Sequence, residues 1–154
     1  MNIDELLNHL SVKFDSKILK TYKHNRRHAY IDIYPKDVVE ITKHLFKDLN
    51  LRFNIASGVD DLDAIEVLYH FSSDKENFVL TVRAMIKEKD VPSVDTITSY
   101  TKSGWWIERE IHELFGVGFN GNNDLRPLLL PDEWPKGVYP MRKNFIPPKR
   151  DSRK

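Results

Sequence analysis

The chain has 154 residues, 40% of them hydrophobic and 31% charged, and its formal net charge at pH 7 is +1. This length suits one domain with its own core, and the composition is typical of folded soluble proteins, which excludes a disordered chain. No apolar run approaches the ~20 residues that cross a bilayer, and the N-terminus lacks the basic and apolar regions of a signal peptide. We therefore expect a protein that is made in the cytosol and stays there.

The chain contains no cysteine, which excludes disulfides, thiolate metal sites and cysteine-ligated iron–sulfur clusters on these residues. There is also no Gly-rich phosphate loop, nucleophile elbow or dinucleotide fingerprint. His112-Glu113 lacks the second histidine of the zinc-protease motif, and His24 with His28 suggests no third metal ligand nearby. We expect no metal or other cofactor on this chain, and any redox cofactor nearby should belong to another subunit.

Hydrophobic periodicity predicts the elements. Apolar residues recur at helical spacing behind Asn2, a suitable N-cap, and Pro35 suits the first turn of a second helix. The predicted elements are, in chain order, a short helix at 3–10, a strand at 30–34, a helix at 35–50, a strand at 51–57, strands at 65–71 and 78–87, and a helix at 101–115. A polar turn joins the last two strands, which should pair as an antiparallel hairpin.

Beyond Gly116 the composition changes. Prolines at 127, 131, 135, 140, 147 and 148 disfavour regular helix and predict an extended arm. The predicted fold class is α+β: a single domain with a mixed or antiparallel sheet and helices on one face, followed by a C-terminal helix and the extended Pro-rich arm. We expect the domain to span 1–115 and the arm, 116–154, to pack on partner subunits.

The C-terminal end is locally basic. Its cations stand against a single acid, Asp151, and are Arg142, Lys143, Lys149, Arg150, Arg153 and Lys154. Such a tail is typical of a solvated end or of a rim contact with a protein partner. The alternative is a free-standing binding module whose tail docks on nucleic acid or anionic lipid, with salt-sensitive binding.

The helix predicted at 101–115 has two different sides. One side carries the apolar residues Ile107, Ile111, Leu114 and Phe115, flanked by Glu108 and Glu110. The opposite side carries Trp106, Arg109 and Glu113, with Trp105 near its edge. Two tryptophans outside the core stripe indicate a contact surface. Either a partner subunit or the folded-back arm of the same chain would cover them.

The charges of this helix need partners if the helix is buried, because an unpaired buried charge costs several kcal/mol. We predict that Glu108, Arg109, Glu110 and Glu113 bridge the helix to the arm, for example to Arg126, Arg142 or Lys143. A different class of function stays open at this point: a hydrolase that uses Glu108 or Glu110 with His112. That function would need a pocket and a shifted carboxylate pKa.

Three motifs follow one another in this region. They are Glu108-Arg109-Glu110-x-x-Glu113-Leu114-Phe115-Gly116, then Asp124-Leu125-Arg126-Pro127-Leu128-Leu129, then Tyr139-Pro140-x-Arg142-Lys143. Together they closely resemble the signature of the respiratory complex I 30 kDa subunit family, the C subunit of NADH dehydrogenase. That family includes the corresponding subunits of membrane-bound, energy-converting nickel–iron hydrogenases.

Two departures refine the resemblance. The family turn usually carries Gly-His-Pro where this chain has Gly121-Asn122-Asn123, so any role of that histidine does not transfer. Residues 130–140, Leu-Pro-Asp-Glu-Trp-Pro-Lys-Gly-Val-Tyr-Pro, look more like the hydrogenase branch than the quinone-reducing one, and the shortness of the chain favours the same branch. The alternative is the equivalent subunit of a complex I-like NADH or other quinone oxidoreductase.

The resemblance implies a non-catalytic scaffold subunit, held by its complex at the cytoplasmic side of the membrane. Its partners would be the large catalytic subunit and the small iron–sulfur subunit, with no nucleic acid. Iron–sulfur clusters, and in a hydrogenase a nickel–iron centre, would lie on those partners, and the scaffold would support electron transfer coupled to ion translocation. The expected partner-interface residues are Trp105, Trp106, Glu108, Arg109, Glu110, Glu113, Arg126, Trp134, Tyr139, Arg142 and Lys143.

Overall fold

A computed structural model of the chain describes residues 1–147. Its elements, in chain order, are α1 Ile3–Lys13, β1 Ile18–Asn25, β2 His28–Ile33, α2 Val38–Lys43, β3 Arg52–Asp60, β4 Ile65–Ser73, β5 Phe78–Ile86, β6 Ser93–Asp95, α3 Gly104–Phe115 and β7 Gly118–Asn120. Short 3₁₀ turns at Pro35–Asp37 and Ile97–Ser99 precede α2 and α3, and a π-helical turn at His44–Asp48 extends α2. The basic residues of the C-terminal end at positions 149, 150, 153 and 154 lie outside the described residues.

The strands form one five-stranded sheet in the order β1-β2-β5-β4-β3 and a separate two-stranded pair, β6-β7. Neighbours in the large sheet are antiparallel except β2 and β5, which are parallel. A parallel pair needs a long crossover, and here α2, β3 and β4 supply it. The predicted α+β fold with a mixed sheet is confirmed, as is the hairpin of β4 and β5.

One face of the large sheet forms the core. Side chains alternate between the two faces of a strand, and the fully buried side on β4 and β5 consists of Ile65, Val67, Tyr69, Phe71, Leu80, Val82, Ala84 and Ile86. The helices add Leu6 and Leu10 from α1, Ile41 from α2, and Ile111 and Phe115 from α3 to the same cluster. The helices therefore lie on one face of the sheet, as predicted.

Local sequence explains how the helices begin. The side chain of Asn2 accepts hydrogen bonds from the N–H groups of Asp4 and Glu5, and the Glu5 carboxylate accepts one from Asn2 N–H, 2.9 Å away. This reciprocal cap stabilises the first turn by about 1 kcal/mol. Pro35 opens the second helical segment, as predicted, but that segment changes from 3₁₀ to α to π geometry along its length.

Two parts of the fold were not predicted. β1 is exposed along almost its whole length, so it lacks the buried alternation that identifies a strand. β7 begins two residues after Gly116 and pairs in parallel with β6, and its Phe119 is buried in the core. The stretch assigned to the arm thus begins with a strand, and its remainder up to residue 147 contains no helix or strand. Within residues 1–147, no helix is long and apolar enough to cross a bilayer.

Candidate partner interface

Helix α3 ends in a turn that requires glycine. Gly116 has φ +74°, a left-handed conformation that favours glycine, and its N–H bonds the His112 carbonyl at 2.8 Å. A Cβ at this position would also collide with the ring of Tyr139, which folds back over it from the arm. The signature glycine therefore serves two purposes: it closes the helix and admits an aromatic side chain of the arm.

Glu108 is fully buried, not on the flank where the helical wheel placed it. Its carboxylate accepts hydrogen bonds from Thr96 Oγ1 at 2.6 Å, Ile97 N at 2.8 Å and Asn122 Nδ2 at 2.8 Å. Burial raises the pKa of this carboxyl, and the three hydrogen bonds oppose that shift. Glu108 thus connects α3 to the loop before it and to the turn at Asn122 after it.

Arg109 binds carbonyl oxygens of the arm. Its Nε donates to the carbonyl of Arg126 at 2.9 Å and its Nη2 to that of Pro127 at 2.8 Å. The guanidinium also lies over the Trp106 ring, 5.4 Å from its centre, a cation–π contact worth about 0.5–1 kcal/mol at an exposed site. Arg109 is therefore buried between the arm and an exposed tryptophan.

Glu113 binds the next three residues of the arm through their N–H groups. Its carboxylate accepts from Leu128 N at 2.9 Å, Leu129 N at 2.7 Å and Leu130 N at 3.2 Å. Arg109 and Glu113 lie one turn apart on α3. Arg109 thus binds carbonyl groups, and Glu113 binds amide groups, of one continuous segment. The arm segment 126–130 is held by its backbone, so this contact leaves the side chains of the leucines free for other contacts.

The second half of the arm returns to the end of α3. Arg142 donates to the carbonyls of Phe115 and Lys89, at 2.5 Å and 2.9 Å. Lys143 donates its backbone N–H to Asp60 Oδ2 at 2.8 Å, and Met141 donates its own to the Leu114 carbonyl at 3.1 Å. Within residues 116–147 the arm therefore folds against its own domain both at 126–130 and at 141–143.

The prediction that the helix charges bridge to the arm is confirmed for Glu108, Arg109 and Glu113, with a correction. Side-chain partners at Arg126, Arg142 and Lys143 were suggested, but Arg109 and Glu113 bind backbone groups, and Glu108 binds Asn122, which was not among the suggested partners. Arg126 instead pairs with Asp124 at 2.6 Å, and this ion pair lowers the pKa of the Asp124 carboxyl to about 2. A charged side chain saturates its hydrogen bonds at a lower entropy cost on an ordered backbone than on another long side chain.

Glu110 behaves differently from its three neighbours. It is half-buried and makes no side-chain hydrogen bond or ion pair with residues 1–147. Its predicted bridge to the arm is therefore wrong within the described part of the chain.

The two tryptophans stay exposed. Trp105 is 38% and Trp106 59% accessible, and their rings lie 6.2 Å apart. Of the two candidates for covering them, the arm is excluded as far as residue 147, because it passes along Arg109 and Glu113 instead. An exposed pair of indoles is the kind of surface that anchors protein interfaces.

Trp134 and Tyr139 shape the inside of the arm. The indole Nε1 of Trp134 donates to the Val138 carbonyl at 2.7 Å, and its ring lies 6.1 Å from that of Phe145. Between the arm and α3 lies a cavity of about 300 Å³, lined in part by His112, Leu125, Trp134, Val138 and Tyr139. This cavity gives the arm an apolar inner surface next to the signature helix.

The hydrolase alternative that pairs Glu108 with His112 does not fit this geometry. Glu108 is sealed from solvent with both oxygens occupied, and His112 donates its Nδ1–H to the Val117 carbonyl at 2.8 Å. A general base must reach the proton it abstracts, and Glu108 reaches only Thr96, Ile97 and Asn122. Among residues 1–147, no three His, Asp or Glu side chains converge on a point where they could hold a metal ion.

Sequence comparison agrees with the signature. Residues 31–151 match the family described as "Respiratory-chain NADH dehydrogenase, 30 Kd subunit". The C subunit of the NADH-quinone oxidoreductase of Rickettsia typhi is 32% identical over 152 residues, which covers 94% of this chain and 74% of the relative. The C subunit of the F(420)H(2) dehydrogenase of Methanosarcina mazei is 34% identical over 126 residues, which covers 78% of this chain and 75% of the relative.

Structural comparison gives the same fold. A chain from the "Structure of the membrane-bound sulfane sulfur reductase (MBS), an archaeal respiratory membrane complex" superposes with a TM-score of 0.78 at 22% identity. The superposition covers 93% of this chain and 85% of the other. On the extent of the sequence match, this chain belongs to the 30 kDa subunit family of the respiratory-chain NADH dehydrogenase.

Proposed function

We propose that this chain is a non-catalytic scaffold subunit of a membrane-bound oxidoreductase related to complex I. In this role it docks on the large catalytic subunit, next to the small iron–sulfur subunit, at the cytoplasmic side of the membrane. Its partners carry the iron–sulfur clusters, and the chain holds them in the register that electron transfer and ion translocation need. Electron transfer depends on fixed distances between cofactors, so a rigid scaffold contributes without touching substrate.

One observation carries this proposal: α3 presents Trp105 and Trp106 to solvent while its charges are used to fix the arm. The side chains of Arg109 and Glu113 form hydrogen bonds to the backbone of residues 126–130. The helix and the arm therefore form one pre-organised surface with an exposed aromatic pair, and pre-organisation lowers the entropy cost of docking. The signature residues assigned to the interface therefore have two different roles. Some of them hold the arm against α3, and others contact the partner.

The type of complex has two candidates. Residues 130–140 favour an energy-converting hydrogenase, in which the nickel–iron centre lies on the large subunit. The names of the relatives in Rickettsia typhi and Methanosarcina mazei favour the second candidate, an oxidoreductase of the complex I type that takes electrons from NADH or another donor and passes them to a quinone or a similar acceptor. Both candidates assign the same docking role to α3 and the arm.

The test is to purify the chain, tagged at its N-terminus, from gently solubilised native membranes and identify its partners by mass spectrometry with metal analysis. A large subunit with stoichiometric nickel supports the hydrogenase type. A large subunit without nickel, in a preparation that reduces quinone, supports the complex I type. Recovery of the chain alone from the soluble fraction contradicts the scaffold function altogether.

A further inference from the structure

The five-stranded sheet has a second face, which none of the described helices covers. Side chains that alternate with the core residues point to it: Tyr30 on β2 lies opposite Tyr22 on β1, and Arg83 on β5 lies opposite Leu68 on β4. We call this surface the open face. Its residues are Lys20, Tyr22, His28, Tyr30, Asp32, Ile55, Ser57, Val59, Glu66, Leu68, His70, Val79, Thr81, Arg83 and Met85.

The open face is more apolar than a solvated sheet face normally is. Sheets with one wet side usually alternate hydrophobic residues inside with polar residues outside. Here Tyr22, Ile55 and Val59 are 52%, 51% and 41% exposed, and Leu68 and Met85 are half-buried between them. Apolar groups spread over several adjacent strands mark a contact surface.

The polar groups at the centre of the open face already have partners within the face. Ser57 Oγ lies 3.2 Å from His70 Nε2, and Thr81 Oγ1 lies 2.9 Å from both His70 Nδ1 and His28 Nε2. This hydrogen-bonded chain crosses β3, β4, β5 and β2 in succession. Burial lowers the pKa of His28 and of His70, which favours the neutral form of both rings.

The charges at the centre are paired as well. Arg83 donates to both carboxylate oxygens of Asp32, at 2.8 and 2.7 Å, and lies 3.6 Å from Glu66. Asp32 and Glu66 are almost fully buried. Removing water from a surface costs most where polar groups are left without partners. The open face can therefore be dehydrated by a partner at low cost.

The edge of the open face is basic. Residues 17–28 contain Lys17, Lys20, Lys23, Arg26 and Arg27 and no acid. Within residues 1–147, Lys17 pairs with Glu40 and Lys23 with Asp4, whereas Lys20, Arg26 and Arg27 form no ion pair. The turn between β1 and β2 thus carries two free arginines beside an apolar centre. An apolar centre with a charged rim is the usual anatomy of a protein interface.

We propose that the open face is a docking site for a second protein subunit, one whose surface has an uncharged apolar centre and acidic residues placed to meet Arg26, Arg27 and Lys20. The inference rests on the proposed scaffold function and deepens it. Trp106 lies on the side of α3 opposite Phe115, which packs on the sheet. Trp106 and the open face therefore point in opposite directions, and the chain bridges two partners.

Other occupants fit less well. A second copy of this chain would bring another Arg26, Arg27 and Lys20 into the contact, and the only acids of the open face, Asp32 and Glu66, are already paired with Arg83. An anionic membrane would meet these two carboxylates near the centre of the face, and like charges repel. An acidic protein rim satisfies the arginines without either conflict.

The test uses the complex captured through the N-terminal tag. Lysine acylation is compared between this complex and the isolated chain. We expect Lys20 to be protected about tenfold or more in the complex, while Lys75, exposed in the turn between β4 and β5, reacts equally in both.

The variants Ile55→Glu and Arg26→Glu/Arg27→Glu should lose one co-purifying subunit. The matched control, Val12→Glu at an exposed position of α1, should retain it.

The outcomes separate the two proposals. A complex that forms with Lys20 fully reactive, and that tolerates both Ile55→Glu and Arg26→Glu/Arg27→Glu, overturns the docking site and leaves the scaffold function intact. Recovery of no complex overturns both proposals. A concentration-dependent dimer of the isolated chain that Arg26→Glu/Arg27→Glu abolishes identifies a second copy as the occupant and also overturns the docking of a different subunit.

Discussion

Glu113 accepts a hydrogen bond from the backbone N–H of Leu129, with 2.7 Å between N and Oε1. The bond joins the signature helix to residues 121–147 of the arm, which contain no helix or strand, and Leu128 and Leu130 donate to the same carboxylate. Hydrogen bonds to a charged group contribute about 1.5–3 kcal/mol each. Glu113 therefore contributes much of the free energy that holds residues 128–130 of the arm against α3.

The first prediction concerns Glu113→Ala. It removes the acceptor of three amides, so the arm segment should open locally while the core stays folded. We expect amide exchange at positions 128–130 to accelerate by about 10- to 100-fold, with core strands unchanged. Hydrogen exchange measured by NMR or mass spectrometry checks this. Glu110→Ala, on the same helix, is the control and should leave exchange unaffected; equal acceleration in both variants contradicts the role of Glu113.

The second prediction uses two glycines with the same backbone conformation. Gly116 and Gly137 have φ +74° and +77°, but only Gly116 faces another residue, Tyr139, whereas a Cβ at position 137 meets nothing within 4 Å. Gly137→Ala should cost about 1 kcal/mol of unfolding free energy from backbone strain alone. Gly116→Ala should cost about 1–3 kcal/mol more, because the Tyr139 ring must move. Urea denaturation measures the difference, and equal costs would mean that Tyr139 does not pack there.

The third prediction is a loss of stability in mild acid from His28 and His70. Burial lowers the pKa of both rings, so the unfolded chain binds these protons more tightly than the folded one. The stabilisation is complete above the unfolded pKa of about 6.5 and is lost as pH falls through the lowered folded pKa values. The unfolding free energy should therefore drop between pH 7.5 and 5.5. In His28→Asn/His70→Asn that slope should flatten; an unchanged slope would assign it to other groups.

The fourth prediction concerns Glu108→Gln. Burial raises the pKa of this carboxyl, so its contribution to stability is fully present below the unfolded pKa of about 4.3 and is lost as pH rises through the folded pKa. The neutral glutamine does not titrate and keeps an oxygen that can accept from Ile97 N–H. Relative to the wild type, the variant should therefore gain stability as pH rises from 4 to 7. Urea denaturation at both pH values tests the sign, and a relative loss over this range refutes it.

The fifth prediction separates docking from folding. Trp105→Ala/Trp106→Ala removes exposed rings, so the unfolding free energy of the isolated chain should change by less than about 1 kcal/mol. The yield of the complex should fall about tenfold or more, because truncating a central aromatic anchor typically costs about 2 kcal/mol or more of binding. Val12→Ala, at another exposed position, is the control. A normal yield with lost turnover would instead indicate a catalytic role for this subunit.

The sequence predicted most reliably the helices and strands whose hydrophobic residues recur at a regular spacing. β4 and β5 were identified because buried apolar residues such as Val67 and Val82 alternate with outward-facing ones over nine residues in each strand. α1 was identified by its helical apolar spacing and its Asn2 cap. β1 was not predicted because an exposed edge strand has no alternation of buried and exposed residues. β6 and β7 were not predicted because three residues each are too few to show a period.

The candidate site also combines features that the sequence predicts with features that only the folded chain shows. The sequence by itself determined which charges belong together, since Glu108, Arg109 and Glu113 stand in fixed order on one helix, and it determined the family, because that order is specific. Only the tertiary structure decided that Arg109 takes carbonyls and Glu113 takes amides of the same arm segment, and that Glu108 lies fully buried beside Thr96 and Asn122. Every residue except proline carries the same backbone N–H and C=O groups, so these groups carry almost no sequence signal. A side chain's choice of a backbone partner is therefore fixed only when the chain is folded.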